Sequence, residues 1–265
     1  MSIKKKLLTD PFFSYQNNIF YQKDSQRRSF VEAYLKLREK EHRNYDDPVI
    51  RALPEFDKHH PYKKEWDMRK STLNYLIKYL KEPALPHYIM ELGCGNGWLA
   101  HNLAASLNAE ICAVDINEIE LLQGARIFKD QQNLCFVYAD IFGSALNAQK
   151  FNAIVLAGSV QYFGDVKELI ARLFEFMEPS GKIYIADSPI YSSGAKAEAA
   201  RKRSIKHFSS LGFPEMAEQY FHHTFDELKD VNYKILYNPK SVASLLKRKI
   251  LKRSLSILPI ICVTN

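Results

Sequence analysis

The chain has 265 residues, 46% of them hydrophobic, which is enough to supply the core of one substantial domain plus an attachment. Its four cysteines lack C-x-x-C or Cys/His metal spacing, its start lacks a signal-peptide core, and its longest apolar run, near 257–263, is too short for a bilayer, so we expect a cytoplasmic protein without a metal. The net charge is +7, and basic clusters at 196–206 and 247–253 are either solvated helix faces or contacts for an anionic acceptor, a membrane surface or nucleic acid.

Residues 1–62 are rich in aromatic side chains and contain no strand pattern. A helix is predicted over 29–42, and a turn-rich stretch follows as far as Pro61. We interpret this segment either as a cap over the functional site that carries substrate specificity or as a packing appendage.

Residues 64–80 have the apolar spacing of an amphipathic helix, and Arg69 lies on its apolar face. From Trp66 to Leu80 such a helix rises ~21 Å, against ~16 Å for the five-residue strand that follows it. The start of the helix should therefore overhang the end of that strand.

The stretch 89–98 reads Ile-Met-Glu-Leu-Gly-Cys-Gly-Asn-Gly-Trp, an apolar run that ends in three alternate glycines. Helical spacing of apolar residues follows at once, so we predict a strand, a tight turn and a helix whose free N–H groups face a ligand. Trp98 stands where a dinucleotide fingerprint G-x-G-x-x-G needs its last glycine, and the Gly-Lys-Ser/Thr of a P-loop is absent.

Two further apolar runs end in acids, at Asp115 and at Asp140. Because the carboxyl ends of parallel strands meet at one edge of a sheet, Glu91, Asp115 and Asp140 should line one rim of a ligand crevice. Asp115 lies roughly 20 residues past the first turn, where a carboxylate can bind a ribose. Each acid taken alone could instead be a solvated residue at a strand end.

The remaining pattern alternates helices and strands until a long insertion interrupts it. Helices are predicted over 117–129, 166–177 and 241–249, and strands over 151–156, 182–186, 232–237 and 256–264. The insertion, 191–229, combines a basic helical segment with an aromatic, His-rich piece, and long insertions of this kind commonly form lids.

The motif Glu91-Leu92-Gly93-Cys94-Gly95-Asn96-Gly97 resembles the E/D-x-G-x-G-x-G turn of class I S-adenosylmethionine-dependent methyltransferases, including the ubiquinone/menaquinone type, over about 87–187. The resemblance implies an α/β, Rossmann-like, seven-stranded, mostly parallel sheet of order 3-2-1-4-5-7-6 flanked by helices. It divides the chain into a helical cap, 1–62, and a methyltransferase domain, 63–265, with a helical lid at 191–229 before the last two strands.

The resemblance also implies S-adenosyl-L-methionine as cofactor and S-adenosyl-L-homocysteine as product. Arg69 could pair with the methionine carboxylate or with an acidic acceptor, or it could be a surface arginine that covers apolar area. The residues that we predict to hold the cofactor are Glu91, Gly93, Cys94, Gly95, Asn96, Gly97, Asp115, Ile116, Asp140, Ile141, Ala157, Gly158 and Arg69.

Methyl transfer from a sulfonium is an in-line displacement, so the protein must align the nucleophile, exclude water and, where needed, remove a proton. No metal is expected. The predicted catalytic residues are His223 and His222, with Tyr162 behind them, and Asp187 and Tyr191 are further candidate bases. A lid histidine can equally be a surface or packing residue.

The strand exit at 157–160 lacks both the N/D-P-P-Y/F pattern of enzymes that methylate base amino groups and a nucleophilic cysteine, which disfavours a nucleic-acid methyltransferase. A non-catalytic S-adenosylmethionine-binding protein remains open, and a dehydrogenase is disfavoured by Trp98. We predict transfer to a small or lipid-like acceptor, apolar or aromatic, with an anionic acceptor left open.

Overall fold

The computed structural model describes residues 2–23, 30–81, 88–143, 146, 149–251 and 255–265. Its elements, in chain order, are α1 (Ile3–Thr9), β1 (Phe13–Gln16), β2 (Ile19–Gln22), α2 (Phe30–Lys40), α3 (Asp47–Ala52), α4 (Lys63–Leu80), β3 (Tyr88–Leu92), α5 (Trp98–Ser106), β4 (Glu110–Asp115), α6 (Glu118–Ile127), β5 (Leu134–Tyr138), β6 (Phe151–Ala157), α7 (Val166–Phe174), β7 (Met177–Ala186), α8 (Gly194–Leu211), β8 (Asn232–Tyr237), α9 (Val242–Leu251) and β9 (Ile260–Thr264).

The described strands form one sheet in the order β1-β2-β5-β4-β3-β6-β7-β9-β8. The strands from β2 to β7 in this order are parallel to one another, whereas β1 is antiparallel to β2, and β9 is antiparallel to both β7 and β8. The order β5-β4-β3-β6-β7-β9-β8 is the predicted 3-2-1-4-5-7-6, so the predicted fold class is confirmed.

The predicted number of seven strands is wrong, because a hairpin near the start of the chain adds two more. Asn17 and Asn18 have φ values of 52° and 62°, which supply the two-residue turn between β1 and β2. Ile19 then pairs with Phe136, so β2 continues the parallel sheet beyond β5. The segment predicted to lack strands therefore contains this hairpin.

Helices cover both faces of the sheet. Ile89 and Met90 are adjacent in β3 but lie in different core clusters, because successive side chains of a strand point to opposite faces. Leu103 of α5 is buried on the first face and Leu173 of α7 on the second. Burial of each such side chain contributes about 1.5–3 kcal/mol, so the strand ends rest on a firmly packed base.

Three element bounds differ most from the prediction. The helix predicted over 166–177 ends at Phe174, and the strand predicted over 182–186 begins earlier, at Met177, so that the residues before Lys182 form an irregularity in the pairing of β7 with β6. The last strand begins at Ile260 rather than at residue 256.

Helix α2 and the insertion at 191–229 pack on each other above the carboxyl ends of the strands. Leu37 of α2, Phe208 of α8 and Met216 of the following 3₁₀ turn form a small buried cluster of their own. We call α2 and this insertion the roof of the site. Within the described residues, no helix combines the length and the apolar character that a membrane span needs.

Candidate active site

Two adjoining cavities lie between the strand ends and the roof. The first, of about 790 Å³, extends over the ends of β4 and β5, and the second, of about 1620 Å³, extends below α2 and α8. Both cavities are lined by Tyr34, Gly93, Gly95, Glu120, Gly158 and Tyr162. These shared residues mark the place where a molecule in one cavity meets a molecule in the other.

The glycine turn after β3 requires glycine on conformational and steric grounds. Gly93, Gly95 and Gly97 have φ values of +77°, +55° and +71°, which L side chains rarely adopt. A Cβ on Gly93 would lie 2.4 Å from the Cβ of Ser159, and one on Gly97 would lie 2.4 Å from the ring of Phe136. The turn therefore presents bare backbone to the cavities.

Asp115 ends β4 and holds the glycine turn in place. Its carboxylate accepts the N–H of Gly95 at 2.7 Å and that of Asn117 at 2.8 Å. Burial raises the pKa of Asp115, while these backbone N–H groups lower it. Each oxygen keeps a second lone pair for a hydroxyl donor, so this side chain can bind a ribose as predicted.

The loop after β5 closes the far end of the first cavity. Asp140 and Ile141 both line it, and the Asp140 carboxylate accepts the N–H of Phe142 at 3.1 Å. Gln22, from the unpredicted strand β2, accepts the N–H of Asp140 at 3.1 Å. The added hairpin thus supports the loop that carries two of the predicted cofactor residues.

Glu91 is buried at the end of β3, 3% exposed, and lines the second cavity. Burial raises its pKa well above the ordinary value, although the N–H of Ala100 lowers it. Its Oε2 atom has no hydrogen-bond partner among the described residues. A buried carboxyl oxygen without a partner is costly, and a donor or cation on a bound molecule would satisfy it.

Arg69 lies on the inward face of α4, as predicted. Its Nε and Nη2 atoms lie 3.2 and 3.1 Å from Oε1 of Glu65, and its Nη1 atom would lie 3.9 Å from a Cβ on Gly158. Asp187 is nearby, where burial raises its pKa and Arg69 lowers it. Arg69 therefore reaches the strand end at which the two cavities meet.

The cavities bring together most of the predicted cofactor residues. Gly97 lines neither cavity and instead caps the start of α5. The first cavity is lined by Asp115, Ile116, Asp140 and Ile141, the second by Arg69, Glu91, Cys94, Asn96 and Ala157, and both by Gly93, Gly95 and Gly158.

His223, a predicted base, lies outside both cavities and is 3% exposed. Its Nδ1 atom lies 2.9 Å from Oε2 of Glu227, and its Nε2 atom lies 2.9 Å from the carbonyl oxygen of Phe163. These partners engage both ring nitrogens away from the cavities, so neither nitrogen is placed to take a proton from a molecule bound in them.

The other two predicted catalytic residues are placed differently. His222 lines a separate surface pocket, and its Nε2 atom lies 3.0 Å from Oγ of Ser204. Tyr162 lines both cavities, with its ring edge-to-face against Tyr34 at 5.8 Å and against Tyr220 at 5.7 Å. Burial, and next to it Tyr220, raises the pKa of Tyr162, so its hydroxyl stays neutral at neutral pH. Of the three residues, the structure brings only Tyr162 to the site.

Sequence reasoning missed Glu120, which lies in the first turn of α6 and lines both cavities. Burial raises its pKa to about 7, although Arg38 lowers it. Its Oε2 atom accepts from the amide of Asn117 at 2.9 Å. The sequence did contain a signal for this residue, because Glu120 is an acid that lies about one helical turn after the strand end at Asp115.

Arg38, also missed, lies four residues after Tyr34 on the face of α2 that covers the site. Its Nη2 atom donates to the carbonyl of Arg43 at 3.4 Å, and its buried Nε atom has no partner among the described residues. Burial lowers the pKa of Arg38, but Tyr34 and Glu120 raise it by more than burial lowers it. The guanidinium therefore stays charged.

The neighbouring arginines differ from Arg38 in their pairing. Arg43 binds Glu65 through two hydrogen bonds of 2.9 and 2.8 Å, and Arg69 shares the same carboxylate. No described carboxylate lies within ion-pair distance of Arg38. A cation at the second cavity is thus left available to a bound molecule.

Residues 89–181, which contain the glycine turn and the strand ends, match the family model described as "Methyltransferase domain". This region is a methyltransferase domain. The curated malonyl-[acyl-carrier protein] O-methyltransferase of Halalkalibacterium halodurans is 28% identical over 100 residues, 36% of this chain and 37% of the relative. The chain thus matches little more than a third of that relative's length.

Solved structures share the fold of this methyltransferase domain at low identity. The YcgJ protein of Bacillus subtilis is 12% identical with a TM-score of 0.54, over 73% of this chain and 98% of that chain. The plantazolicin methyltransferase BpumL, in complex with S-adenosylhomocysteine, is 16% identical with a TM-score of 0.50, over 89% of this chain and 100% of that chain. The predicted resemblance to methyltransferases is confirmed for residues 89–181 by the family model, and for the fold by the solved structures.

Proposed function

We propose that the protein transfers the methyl group of S-adenosylmethionine to a small anionic acceptor. The observation that carries the proposal is the meeting of two cavities at Gly93, Gly158 and Tyr162. One cavity has the lining of an adenosine site, and the other contains an arginine, Arg38, that has no carboxylate partner among the described residues. In this arrangement the residues of the first cavity would hold the adenosine part of the cofactor, those at the meeting point would hold its charged groups, and the acceptor would bind in the second cavity.

The residues at the meeting point fit the cofactor by charge. S-adenosylmethionine carries a sulfonium, an ammonium and a carboxylate, and supplies an activated methyl group when bound. Glu91 offers a buried oxygen without a partner to a cationic donor, and Arg69 offers a cation to the carboxylate. Asp115 and the bare backbone of the glycine turn take the adenosine part.

The roof positions the acceptor and keeps water away. Tyr34 and Tyr162 cover the meeting point of the cavities edge-to-face, and Tyr220 extends this aromatic group into the second cavity. In-line displacement needs the nucleophile held close to the methyl carbon in a dry site, and rigid aromatic rings provide that at little entropic cost. We assign this role to α2 and the insertion 191–229 rather than to the whole of residues 1–62.

Arg38 selects an anionic acceptor. Its guanidinium is charged, partly buried and without a carboxylate partner among the described residues, so a carboxylate or phosphate in the second cavity would satisfy it. A carboxylate oxygen is already a nucleophile and needs no base, in keeping with the neutral Tyr162 and with His223 lying outside the cavities. The curated relative's name describes an O-methyltransferase of a malonyl group, whose free end is a carboxylate.

The test uses methyl-labelled S-adenosylmethionine and a metabolite extract divided on an anion exchanger. We expect the label to enter a product when the retained, anionic fraction is supplied and not when the flow-through is supplied. If label entered a product only when the flow-through was supplied, the anionic acceptor would be refuted, but the protein would still be a methyltransferase. Tight cofactor binding with no transfer from either fraction would favour the non-catalytic binding protein.

A further inference from the structure

Helix α9 packs on the domain through its polar side, whereas an ordinary surface helix packs through its apolar side. Its inward residues are polar: the hydroxyl of Ser244 donates to the carbonyl of Asn238 at 2.7 Å, and Arg248 donates to the carbonyl of Ser256 at 2.8 Å. These bonds fix the helix on the domain by its hydrophilic side. The apolar side is consequently turned outward.

The outward face is a stripe of large aliphatic side chains. Val242, Leu245, Leu246 and Ile250 are 73%, 52%, 51% and 72% exposed, and their spacing places them on one side of the helix. Six of the twelve large hydrophobic side chains exposed in the described part of the chain lie within 235–257. An apolar surface concentrated in this way marks an interaction site rather than scattered surface residues.

The same segment is strongly basic. Residues 231–265 contain no aspartate or glutamate, but they contain seven cations: Lys234, Lys240, Lys247, Arg248, Lys249, Lys252 and Arg253. Lys234, Lys240 and Lys249 are exposed. A partner for this surface must therefore be both negatively charged and apolar.

The second cavity reaches the chain that follows α9. Ile257 is 61% exposed, and Leu258, next in sequence, lines the second cavity. A partner that contacts Ile257 as well as α9 would therefore lie one residue from the lining of that cavity.

We propose that the outer face of α9 docks on an anionic membrane surface. Anionic lipids supply the negative headgroups that lysines favour and, directly beneath them, the apolar layer that the aliphatic stripe needs. A second copy of this chain would instead bring an equally basic, acid-free segment against the first across a two-fold axis, and the like charges would repel.

Vesicle sedimentation tests the proposal without using methyl transfer, so its outcome is independent of the proposed function. The full chain is mixed with phosphatidylcholine vesicles, with or without about 30% phosphatidylglycerol. We expect binding to the anionic vesicles alone, which falls as the salt concentration rises from about 0.1 to about 0.5 M. The triple substitution Leu245→Ser, Leu246→Ser, Ile250→Ser should weaken binding at least about tenfold.

The matched control is the double substitution Leu8→Ser, Phe12→Ser, which removes side chains of similar exposure, 59% and 56%, outside this surface. Circular dichroism and melting temperature verify that each variant folds. Absence of binding to anionic vesicles, or equal binding by the triple variant, would overturn the proposal. So would a dimer in sedimentation velocity that the triple substitution abolishes.

Discussion

The floor of the active site and its roof are built in different ways. The floor consists of strand ends, bare backbone and acids such as Asp115, all supplied by one continuous region of the chain, and its geometry follows from the glycine turn. The roof consists of side chains from α2 and the insertion, Tyr34, Arg38 and Tyr220 among them, which come together only through tertiary packing. We therefore propose that cofactor binding belongs to the floor and acceptor choice to the roof.

The largest effect is expected from a substitution in the floor. Gly93→Ala places a methyl group 2.4 Å from the Cβ of Ser159 at a φ of +77°. The turn must shift, so affinity for S-adenosylmethionine should fall at least about a hundredfold, measured by calorimetry.

Gly194→Ala is the control, because a Cβ there meets no atom within 4 Å. Gly194 is the first residue of helix α8. The substitution should leave the affinity for S-adenosylmethionine unchanged and raise the thermal stability slightly. Unchanged cofactor affinity in a folded Gly93→Ala variant would contradict the assignment of the floor.

The next largest effect is expected from Arg38 in the roof, whose substitution should change methyl transfer but not cofactor affinity. Arg38→Gln removes the cation that has no carboxylate partner among the described residues. Transfer of label to acceptors in the anionic fraction should therefore fall about 10- to 100-fold, while cofactor affinity changes less than about twofold. Arg126→Gln is the matched control, since that exposed arginine pairs with Asp47 on the outer surface. An equal loss in both measurements would place Arg38 in the cofactor site instead.

The floor could be predicted from sequence because its determinants are local. Glycines at alternate positions and an acid at the end of the next strand fix both the turn and its ligand groups within a few residues. The hairpin β1–β2 was missed because Asn17-Asn18 replaces the usual glycine-containing turn.

A lid at 191–229 was predicted, but the chemistry of the roof could not be, because its side chains depend on distant partners. His223 has the residue type of a base, but the Phe163 carbonyl and Glu227 engage both of its nitrogens. Arg38 has the residue type of a solvated surface cation, but packing under the insertion buries its Nε atom.

A smaller effect concerns Glu120, whose pKa burial raises from 4.5 to about 7. The folded chain then binds a proton more tightly than the unfolded chain, so this contribution to stability is complete below about pH 4.5 and is lost as the pH rises through about 7. Glu120→Gln does not titrate. The variant should therefore gain about 1–3 kcal/mol relative to wild type between about pH 5 and about pH 8 in denaturant unfolding without cofactor. If the stability difference between the variant and wild type did not change with pH, it would contradict the claim that Glu120 is a buried carboxyl that titrates near neutral pH.

The smallest effect on turnover is expected from His223. His223→Ala removes a buried ring that is hydrogen-bonded to Glu227 and to the Phe163 carbonyl, and should lower the free energy of unfolding by about 1–3 kcal/mol. At a temperature where the variant stays folded, turnover should remain within about threefold of wild type, with an unchanged pH profile. His222→Ala, at the surface pocket, serves as the comparison. Loss of turnover in a folded His223→Ala variant would restore that residue as a base.

Calorimetric titration of the purified chain with S-adenosylmethionine, S-adenosylhomocysteine and a nicotinamide dinucleotide tests the central claim most directly. The two adenosyl compounds should each bind at one site per chain and compete with each other, and the dinucleotide should release no heat. Absence of binding by both adenosyl compounds, or their displacement by the dinucleotide, would contradict the assignment of the two cavities.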